Sequence, residues 1–242
     1  MDNWILNTPF QLWPENKKEL NSIEFSQFKK SHKILFRFFE PQNTVAVLAN
    51  SNDAATELNL TEIEARKIPV LRRKGGGGTV ILSPGCLVLS FAFYAKELFN
   101  NAVYFEIINN LWIEALKSAG LKNVAQRGHS DIAVTLQNGV TLKIAGTSLF
   151  RRKHLVVYQG SLLVDPQFSL ITDLLPHPSR EPDYRKARKH LDFITSTAQQ
   201  GLPLSASDLA SHCHQYFSYH AHEALRAHFV EADKLPSGFI LD

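Results

Sequence analysis

The sequence has few of the features that mark secreted, metal-binding or membrane-spanning proteins. Only two cysteines, Cys86 and Cys213, occur among 242 residues. They allow neither a disulfide framework nor a zinc-type spacing, which favours a reducing compartment. No run approaches the roughly 18 apolar residues needed to cross a bilayer. Residues Met1 to Trp13 lack the cationic start and apolar core of a signal peptide. We therefore expect a cytoplasmic protein with no membrane contact.

Charge and composition exclude further classes. The net charge of +3 is too small to favour binding to nucleic acid. A hydrophobic fraction of 44% and a charged fraction of 20% are ordinary for a protein that buries a full core. The phosphate-loop pattern G-x-x-x-x-G-K-[ST] is absent, which argues against a P-loop nucleotide site. The chain is expected to form one large domain, or one domain with an appendage.

One stretch, Arg72 to Val80, differs from this ordinary background. It reads RRKGGGGTV, with three cationic residues directly before four glycines. Glycine tolerates positive φ and lets another group approach the backbone. Exposed N–H groups beside fixed positive charge favour an anion. The stretch therefore indicates a loop that binds a phosphate or a carboxylate, and a flexible hairpin turn is the alternative that the glycines alone leave open.

Hydrophobic periodicity predicts strands interleaved with a few helices. The Asn138-Gly139 pair is a strong hairpin signal. Helices are predicted over Glu15 to Lys30, Ala54 to Arg66, Asn101 to Ala119 and onward from Ser205. Strands are predicted over Lys33 to Phe39, Thr44 to Leu48, Val70 to Arg72, Thr79 to Phe93, Asp131 to Thr135, Leu142 to Thr147 and Leu155 to Val164. We therefore predict an α+β fold around a mixed, largely antiparallel β-sheet flanked by helices.

The helix that follows Ser205 is predicted to pack on the core. Ser205 and Asp208 resemble a capping box. Cys213 shares an apolar face with Leu209 and Phe217, so it is expected to be a core residue. The histidines of this region share no tight ligand face and are predicted to lie on the surface; they are His212, His214, His220, His222 and His228.

Four motifs, in order along the chain, resemble those of the lipoate–protein ligase A family. Residues 72–80 resemble R-R-x-x-G-G-G-[AT]-V, and GHSDI at 128–132 is similar to G-R-N-D-[LI]. LKIAGTS at 142–148 resembles K-[VI]-[SA]-G-x-A, and YQGSLL at 158–163 resembles H-H-G-T-L-L. The resemblance implies a biotin/lipoate ligase-type catalytic domain over residues 31–195. A helical lead-in is expected over residues 1–30, and a helical C-terminal tail packed on the same domain over residues 196–242.

The resemblance implies an enzyme, a lipoate–protein ligase. It would activate lipoate or octanoate with ATP to an acyl-adenylate and transfer the acyl group to a lysine of a lipoyl-carrier domain. ATP and Mg²⁺ are implied as cofactors and lipoate as the substrate. The implied carrier is of the glycine cleavage H protein type or the 2-oxoacid dehydrogenase E2 type. The short stretch after Asp192 also leaves room for a separate accessory protein.

Lys143 is the expected catalytic residue. Attack of a carboxylate on an α-phosphate brings like charges together, so a fixed cation near both lowers the barrier. Lys143 lies in an apolar run, where a lysine needs an anionic partner. Asp131 is expected to hold magnesium or to orient Lys143. The other residues expected to bind substrate or adenylate are Arg72, Arg73, Gly75, Gly76, Gly77, Gly78, Thr79, Ala145, Gly146, Thr147 and Gly160.

The residues leave two alternatives to the ligase function open. An octanoyl or lipoyl transferase would act through a cysteine thioester without ATP, but residues 128–131 and 143–192, where its cysteine is expected, contain none. Cys86 is better explained as a small buried residue. The chain could instead be a non-catalytic or two-component lipoyl-adenylate binding subunit. The basic runs Arg151 to Lys153 and Arg185 to Lys189 would either steer an acidic carrier or form a solvated face.

Overall fold

A six-stranded and a three-stranded sheet organise the computed structural model, which describes residues 34–98 and 100–230. The strands are β1 (Leu35–Phe39), β2 (Val45–Leu48), β3 (Val70–Arg72), β4 (Val80–Leu82), β5 (Cys86–Tyr94), β6 (Val124–Arg127), β7 (Asp131–Thr135), β8 (Thr141–Arg152) and β9 (Leu155–Leu163). The helices are α1 (Ala54–Glu57), α2 (Leu60–Ala65), α3 (Asn101–Ser118), α4 (Phe168–Leu174), α5 (His190–Phe193) and α6 (Ala206–Leu225), with a 3₁₀ turn over Asp183–Arg185. The predicted helix over Glu15 to Lys30 lies outside the described residues.

The sheet arrangement confirms the predicted fold class. The larger sheet has the order β1-β5-β9-β8-β7-β6, and every neighbouring pair in it is antiparallel. The smaller sheet has the order β3-β2-β4, with β2 and β3 parallel and β2 and β4 antiparallel. The fold is therefore α+β with a mixed, largely antiparallel set of strands. Among the described residues, no helix has the length and apolar character that crossing a membrane would require.

Helices α3 and α6 cover one face of the larger sheet. The α3 residue Trp112 is fully buried, and Phe217 of α6 meets Phe38 of β1 edge to face with ring centroids 4.9 Å apart. The helix α3 ends just before Gly120, whose φ of +107° suits a C-terminal stop. Ser205 caps α6 as predicted, because its side chain accepts a hydrogen bond from the Asp208 N–H. Cys213 is buried in this core, as predicted.

The smaller sheet packs against the opposite face of the larger sheet. All four residues of β2 are buried, since both of its faces are covered. Val47 packs with Leu82 and with Val88 of the larger sheet. The other face of β2 packs with α4, where Leu48 contacts the cluster that contains Leu174. The loops that leave the smaller sheet therefore lie over the larger sheet.

Two predicted elements are shorter in the structure. The helix expected over Ala54 to Arg66 is divided into α1 and α2, because Asn59 caps α2 and also bonds to the α4 end through Asp173. The strand expected over Thr79 to Phe93 is divided into β4 and β5, which belong to different sheets. At the turn between them, Gly85 has φ +82°, and a Cβ there would lie 2.1 Å from a backbone oxygen. The strand β6 was not predicted.

Candidate active site

The glycine-rich loop crosses over β2. It connects β3 to β4, and these two strands lie on opposite sides of β2 instead of pairing with each other. The hairpin alternative is therefore wrong. Gly75 is buried against the larger sheet, where an added Cβ would lie 2.9 Å from the Ser148 hydroxyl of β8. Gly76, Gly77 and Gly78 are exposed, so their backbone is open to another molecule.

Both arginines of the Arg72 to Val80 stretch donate hydrogen bonds to backbone carbonyls. Arg73 is 4% exposed, and its Nη2 donates to the Gly76 and Gly78 carbonyls at 2.7 Å each. Burial lowers the pKa of Arg73 to about 10. Arg72 donates from Nη1 to the carbonyls of three residues after β2, of which Asn52 is the nearest at 2.7 Å. The arginines thus shape the loop, and their contact with a phosphate stays a prediction.

Asn52 joins the two loops that border the site. Its side-chain amide donates to the Thr79 hydroxyl at 3.2 Å and to the Gly77 carbonyl at 3.4 Å. The structure thus gives Asn52 a supporting role between these loops. Thr79 is half-buried and is therefore held in place for the contact that was predicted for it.

A bulge in β8 brings Lys143 to the same face as Asp131. Asp131 pairs with Gly146, whereas Ala133 pairs with Lys143, so β8 carries one extra residue, Ile144. Cross-strand partners lie on the same face of a sheet. In a regular strand Lys143 and Gly146, three residues apart, would face opposite ways. The register shift is therefore what assembles the pair.

The Lys143–Asp131 ion pair is the centre of the site. Lys143 Nζ lies 2.7 Å from Asp131 Oδ1, and the side chains are 28% and 9% exposed. The Tyr184 hydroxyl donates to Asp131 Oδ2 at 2.8 Å. Burial and the neighbouring Asp131 charge raise the pKa of Tyr184, so Tyr184 stays a neutral donor. Asp131 is thus fixed from two sides, and the ammonium group is held partly open to solvent.

A segment from Glu181 to Thr195 packs beside this pair. The Thr195 N–H donates to the Lys143 carbonyl at 2.9 Å. The guanidinium carbons of Arg185 and Arg188 lie 4.8 and 5.1 Å from the centre of the Phe193 ring. Arg185 is 5% exposed, so this residue does not belong to a solvated basic face. We call residues 181–195 the strap.

Sequence reasoning did not assign the strap residues to the site. Tyr184 and Arg185 lie about 40 positions after Lys143 in the sequence, and no motif marked them. The basic run that begins at Arg185 was the available signal, but a run of charges usually indicates solvent exposure. The aromatic residues Tyr184 and Phe193 that flank the run could have indicated burial, since their ring centroids lie 5.1 Å apart.

Comparisons with known proteins agree with this geometry. Residues 19–218 match the model of the lipoyl protein ligase A/B catalytic domain. The chain is 31% identical over 178 residues to a probable lipoate-protein ligase A of Mycoplasma pneumoniae, covering 72% of this chain and 49% of that protein. It is 29% identical over 162 residues to lipoate–protein ligase 1 of Staphylococcus aureus, covering 66% and 47%.

The chain belongs to the lipoyl protein ligase A/B catalytic domain family.

Solved structures share the fold of this family member. A bi-partite lipoate protein ligase of Thermoplasma acidophilum, solved in work that includes its E2 lipoyl domain, matches with a TM-score of 0.67 and 18% identity over 85% of this chain and 80% of that chain. A lipoate-protein ligase A bound with ATP matches with a TM-score of 0.64 and 18% identity over 84% and 76%. The chain spans about half the length of the curated relatives that it matches.

Three expected site residues of this lipoyl ligase domain lie on the opposite face of the sheet. Ala145 packs in the core beneath α3. The Thr147 hydroxyl donates to the Ser130 carbonyl at 2.7 Å. A Cβ on Gly160 would lie 2.5 Å from the Trp112 ring. These positions therefore support the strands from behind, and their expected contact with substrate or adenylate stays a prediction.

Asp131 is the carboxylate of the ligase domain that was expected to hold a magnesium ion. Both oxygens of Asp131 already have partners, in Lys143 and Tyr184. No group of three or more metal-ligating side chains occurs within residues 34–98 and 100–230. Magnesium commonly binds through one or two carboxylates together with substrate phosphates. The geometry therefore favours the orienting role for Asp131, with any magnesium arriving as the partner of ATP.

Because Gly146 has no side chain, the Lys143 side chain can lie in the space beside it. A Cβ at this position would lie 3.0 Å from Lys143 Nζ and 3.1 Å from Cε. We expect Gly146→Ala to shift the ammonium group and to slow any reaction that depends on Lys143 by roughly ten- to a hundredfold. The thermal unfolding midpoint should change little, because the displaced atoms are the flexible end of a lysine. Steady-state rates and a melting curve on the same sample check this, and an unchanged rate would contradict it.

Proposed function

We propose that this chain is the catalytic domain of a lipoate–protein ligase, which activates lipoate with ATP and passes the lipoyl group to a lysine of a lipoyl-carrier domain. The observation that carries the proposal is the Lys143–Asp131 pair, at 2.7 Å, on the sheet face that the glycine-rich loop covers. The loop and the pair come from separate sheets and meet through Gly75 and Ser148. Such a site provides one fixed cation beside an open backbone surface.

The first step joins two anions. A carboxylate oxygen of the acid forms a bond to the α-phosphorus of ATP, and the bond to the bridging oxygen breaks as pyrophosphate leaves. Lys143 would lie between the carboxylate and the α-phosphoryl oxygens, where its charge offsets the repulsion. Asp131 holds the ammonium group in place, and Tyr184 holds Asp131. In the second step the amine of the carrier lysine attacks the acyl carbon, and AMP leaves together with one proton from the amine.

Related structures support ATP and lipoate as the reactants. One matching structure is a lipoate-protein ligase A bound with ATP. Another, at a TM-score of 0.63 and 16% identity, is a putative lipoate protein ligase of Thermoplasma acidophilum with bound lipoic acid. In this chain, the glycine-rich loop and the strand β8 with Lys143 are parts of the fold that it shares with these proteins. We propose that this chain also binds ATP and lipoate, with magnesium as the partner of ATP.

A lipoyl-carrier domain is the proposed acceptor. The Thermoplasma acidophilum ligase is described with its E2 lipoyl domain. In this chain Arg152 and Lys153 are exposed at the β8–β9 turn, and Lys74 lies over the Phe150 ring at 5.1 Å. Burial and the nearby Arg152 charge lower the pKa of Lys74 to about 8. This cationic rim beside the glycine loop would attract an acidic carrier surface. Because the related Thermoplasma ligase is bi-partite, a separate accessory protein remains part of the proposal.

The cysteine-thioester alternative has little support. Cys86 is 1% exposed, and burial raises the pKa of its thiol. The Ser83 hydroxyl lies 3.9 Å from Sγ, and a serine hydroxyl is not a base. A nucleophilic cysteine needs thiolate character and access to the substrate. Cys86 therefore fits the role of a packed residue at the start of β5.

Isotope exchange between pyrophosphate and ATP tests the proposed first step. The purified chain should catalyse exchange only when lipoate is added, because exchange requires reversal of adenylate formation. Exchange that is independent of any acid would indicate a different ATP reaction. No exchange with lipoate or octanoate would contradict the adenylation proposal.

A further inference from the structure

Four polar side chains lie on the face of the larger sheet that the smaller sheet and the glycine loop cover. Ser90 of β5 pairs with Gln159 of β9, and Gln159 pairs with Ser148 of β8. Ser161 of β9 pairs with Gly146 of β8. Because cross-strand partners share a face, all four side chains lie on the face that carries Lys143. We call Ser90, Ser148, Gln159 and Ser161 the polar row.

The polar row is buried without internal hydrogen bonds. Its side chains belong to residues only 2% (Ser90), 4% (Gln159), 7% (Ser148) and 9% (Ser161) exposed. The Ser90 hydroxyl is fully buried and has no partner, and within the described ranges no hydrogen bond to the other three side chains is formed either. Buried polar side chains are usually hydrogen-bonded, because an unpaired one loses its contacts with water. The unpaired Ser90 hydroxyl, with three further polar side chains of the row beside it, points to a ligand that supplies the missing partner.

The polar row begins next to the proposed reaction centre. The Lys143 ammonium group lies against Gly146, and Ser161 is the cross-strand partner of Gly146. Strand spacing places the Cα of Ser90 two strands across and two residues along from Gly146, roughly 12 Å away. That distance suits a medium-chain acid whose carboxylate lies at Lys143 and whose tail points towards Ser90.

The row is bordered by the glycine loop, by an apolar cluster and by a cation. Gly75 of the glycine loop packs over Ser148. Val88 of β5 is the cross-strand partner of Ser161 and packs against Val47 and Leu82 of the smaller sheet, so an apolar cluster borders the row beside Ser161. A tail that reaches Ser90 would pass this apolar cluster and end at the Ser90 hydroxyl and the Gln159 amide, with Arg37 of β1 as the next residue on the same face. An alkyl tail would leave both of these groups without a partner.

We propose that Ser90 and Gln159 select an acid whose distal half carries a hydrogen-bonding heteroatom. The preferred class is a hydroxy- or oxo-substituted medium-chain acid, then a sulfur-bearing chain such as lipoate, and last an unbranched alkyl chain such as octanoate. Sulfur accepts hydrogen bonds only weakly, so we rank lipoate between the oxygen-bearing acids and octanoate. This inference rests on the proposed function, because it assigns the acyl tail to the face that carries Lys143.

Competing acids test the inference on the full chain. Isothermal calorimetry would measure the binding of ω-hydroxyoctanoate, lipoate and octanoate, each in the presence of a non-hydrolysable ATP analogue. We expect ω-hydroxyoctanoate to bind about tenfold more tightly than octanoate, because its hydroxyl would form a hydrogen bond with one buried group that octanoate leaves unpaired. Equal or tighter binding of octanoate would overturn the inference and leave the proposed function standing. No binding of any of the three acids would overturn both.

Ser90→Ala separates selection from a structural role. The variant removes a buried hydroxyl that has no partner, so the thermal unfolding midpoint should stay equal or rise. The ratio of the ω-hydroxyoctanoate affinity to the octanoate affinity should fall towards one, and Gln159→Leu should lower it in the same direction. Thr197→Val is the matched control, because Thr197 is also buried but donates to the Val164 carbonyl. An unchanged ratio in both Ser90→Ala and Gln159→Leu would overturn the inference.

Discussion

Lys143→Ala is expected to slow the proposed formation of the acyl-adenylate by roughly a hundred- to a thousandfold, the cost of removing one fixed electrostatic stabiliser from a transition state. The ammonium group lies 2.7 Å from Asp131 and is partly open to solvent, where it can reach two anionic reactants. Without it, the approach of a carboxylate to the α-phosphate is opposed by unscreened repulsion. The loss should appear in the rate of pyrophosphate release and much less in the affinity for ATP.

The fold should survive the loss of Lys143. The Asp131 carboxylate keeps its hydrogen bond from Tyr184, and the free energy of unfolding should fall by about 1–3 kcal/mol. Circular dichroism melting measures that change. Lys122→Ala is the matched control, because Lys122 is exposed on the same domain and should keep the full rate. A Lys143→Ala protein that is folded and retains more than about a tenth of the rate would contradict the assigned role.

Gly160→Ala is expected to be the most destabilising of the glycine replacements within the motifs. An added Cβ would lie 2.5 Å from the Trp112 ring and 3.1 Å from Thr147 Cγ2. Trp112 is fully buried between α3 and the sheet, so it cannot move without disturbing its neighbours. Overpacking of this kind costs roughly 3 kcal/mol, which lowers the unfolding midpoint by roughly 10 °C in a domain of this size.

Thermal melting of two glycine variants isolates the packing effect. Gly76→Ala is the stability control, because no atom lies within 4 Å of a Cβ at that position. Its midpoint should stay within about a degree or two of that of the unchanged protein. If Gly160→Ala melts at the same temperature as Gly76→Ala, the assignment of Gly160 to core packing is wrong. If Gly160→Ala is stable but inactive, Gly160 contacts the substrate as the sequence first suggested.

Local sequence signals predicted much of the fold. Hydrophobic periodicity over Asn101 to Ala119 predicted α3, and the Ser205 cap predicted the start of α6. The Asn138-Gly139 pair gave the β7–β8 hairpin, where Gly139 has φ +82°. These features depend on residues that are close in the chain. The four ordered motifs then indicated the family, which the comparisons confirm.

Features that depend on tertiary contacts were not predicted. The bulge at Ile144 changes which face Lys143 occupies, and no local rule places an extra residue there. Arg72 and Arg73 were assigned to phosphate because of their charge, yet in the structure Arg72 donates to carbonyls of the loop after β2 and Arg73 donates to carbonyls of the glycine loop itself. Tyr184 reaches Asp131 across 53 positions of sequence. Charge and residue type identify candidates, but the partners that decide their roles come from the assembled sheets.

The most direct test of the account is the intact mass of a carrier. The purified chain would be incubated with an apo lipoyl domain, lipoate, ATP and magnesium, and in parallel with an octanoyl-carrier protein without ATP. A candidate accessory protein would be added in a further arm. The account predicts a lipoyl mass gain that requires ATP, is lost in Lys143→Ala and persists in Cys86→Ala. A gain that arises only from the octanoyl-carrier protein and disappears in Cys86→Ala would contradict it.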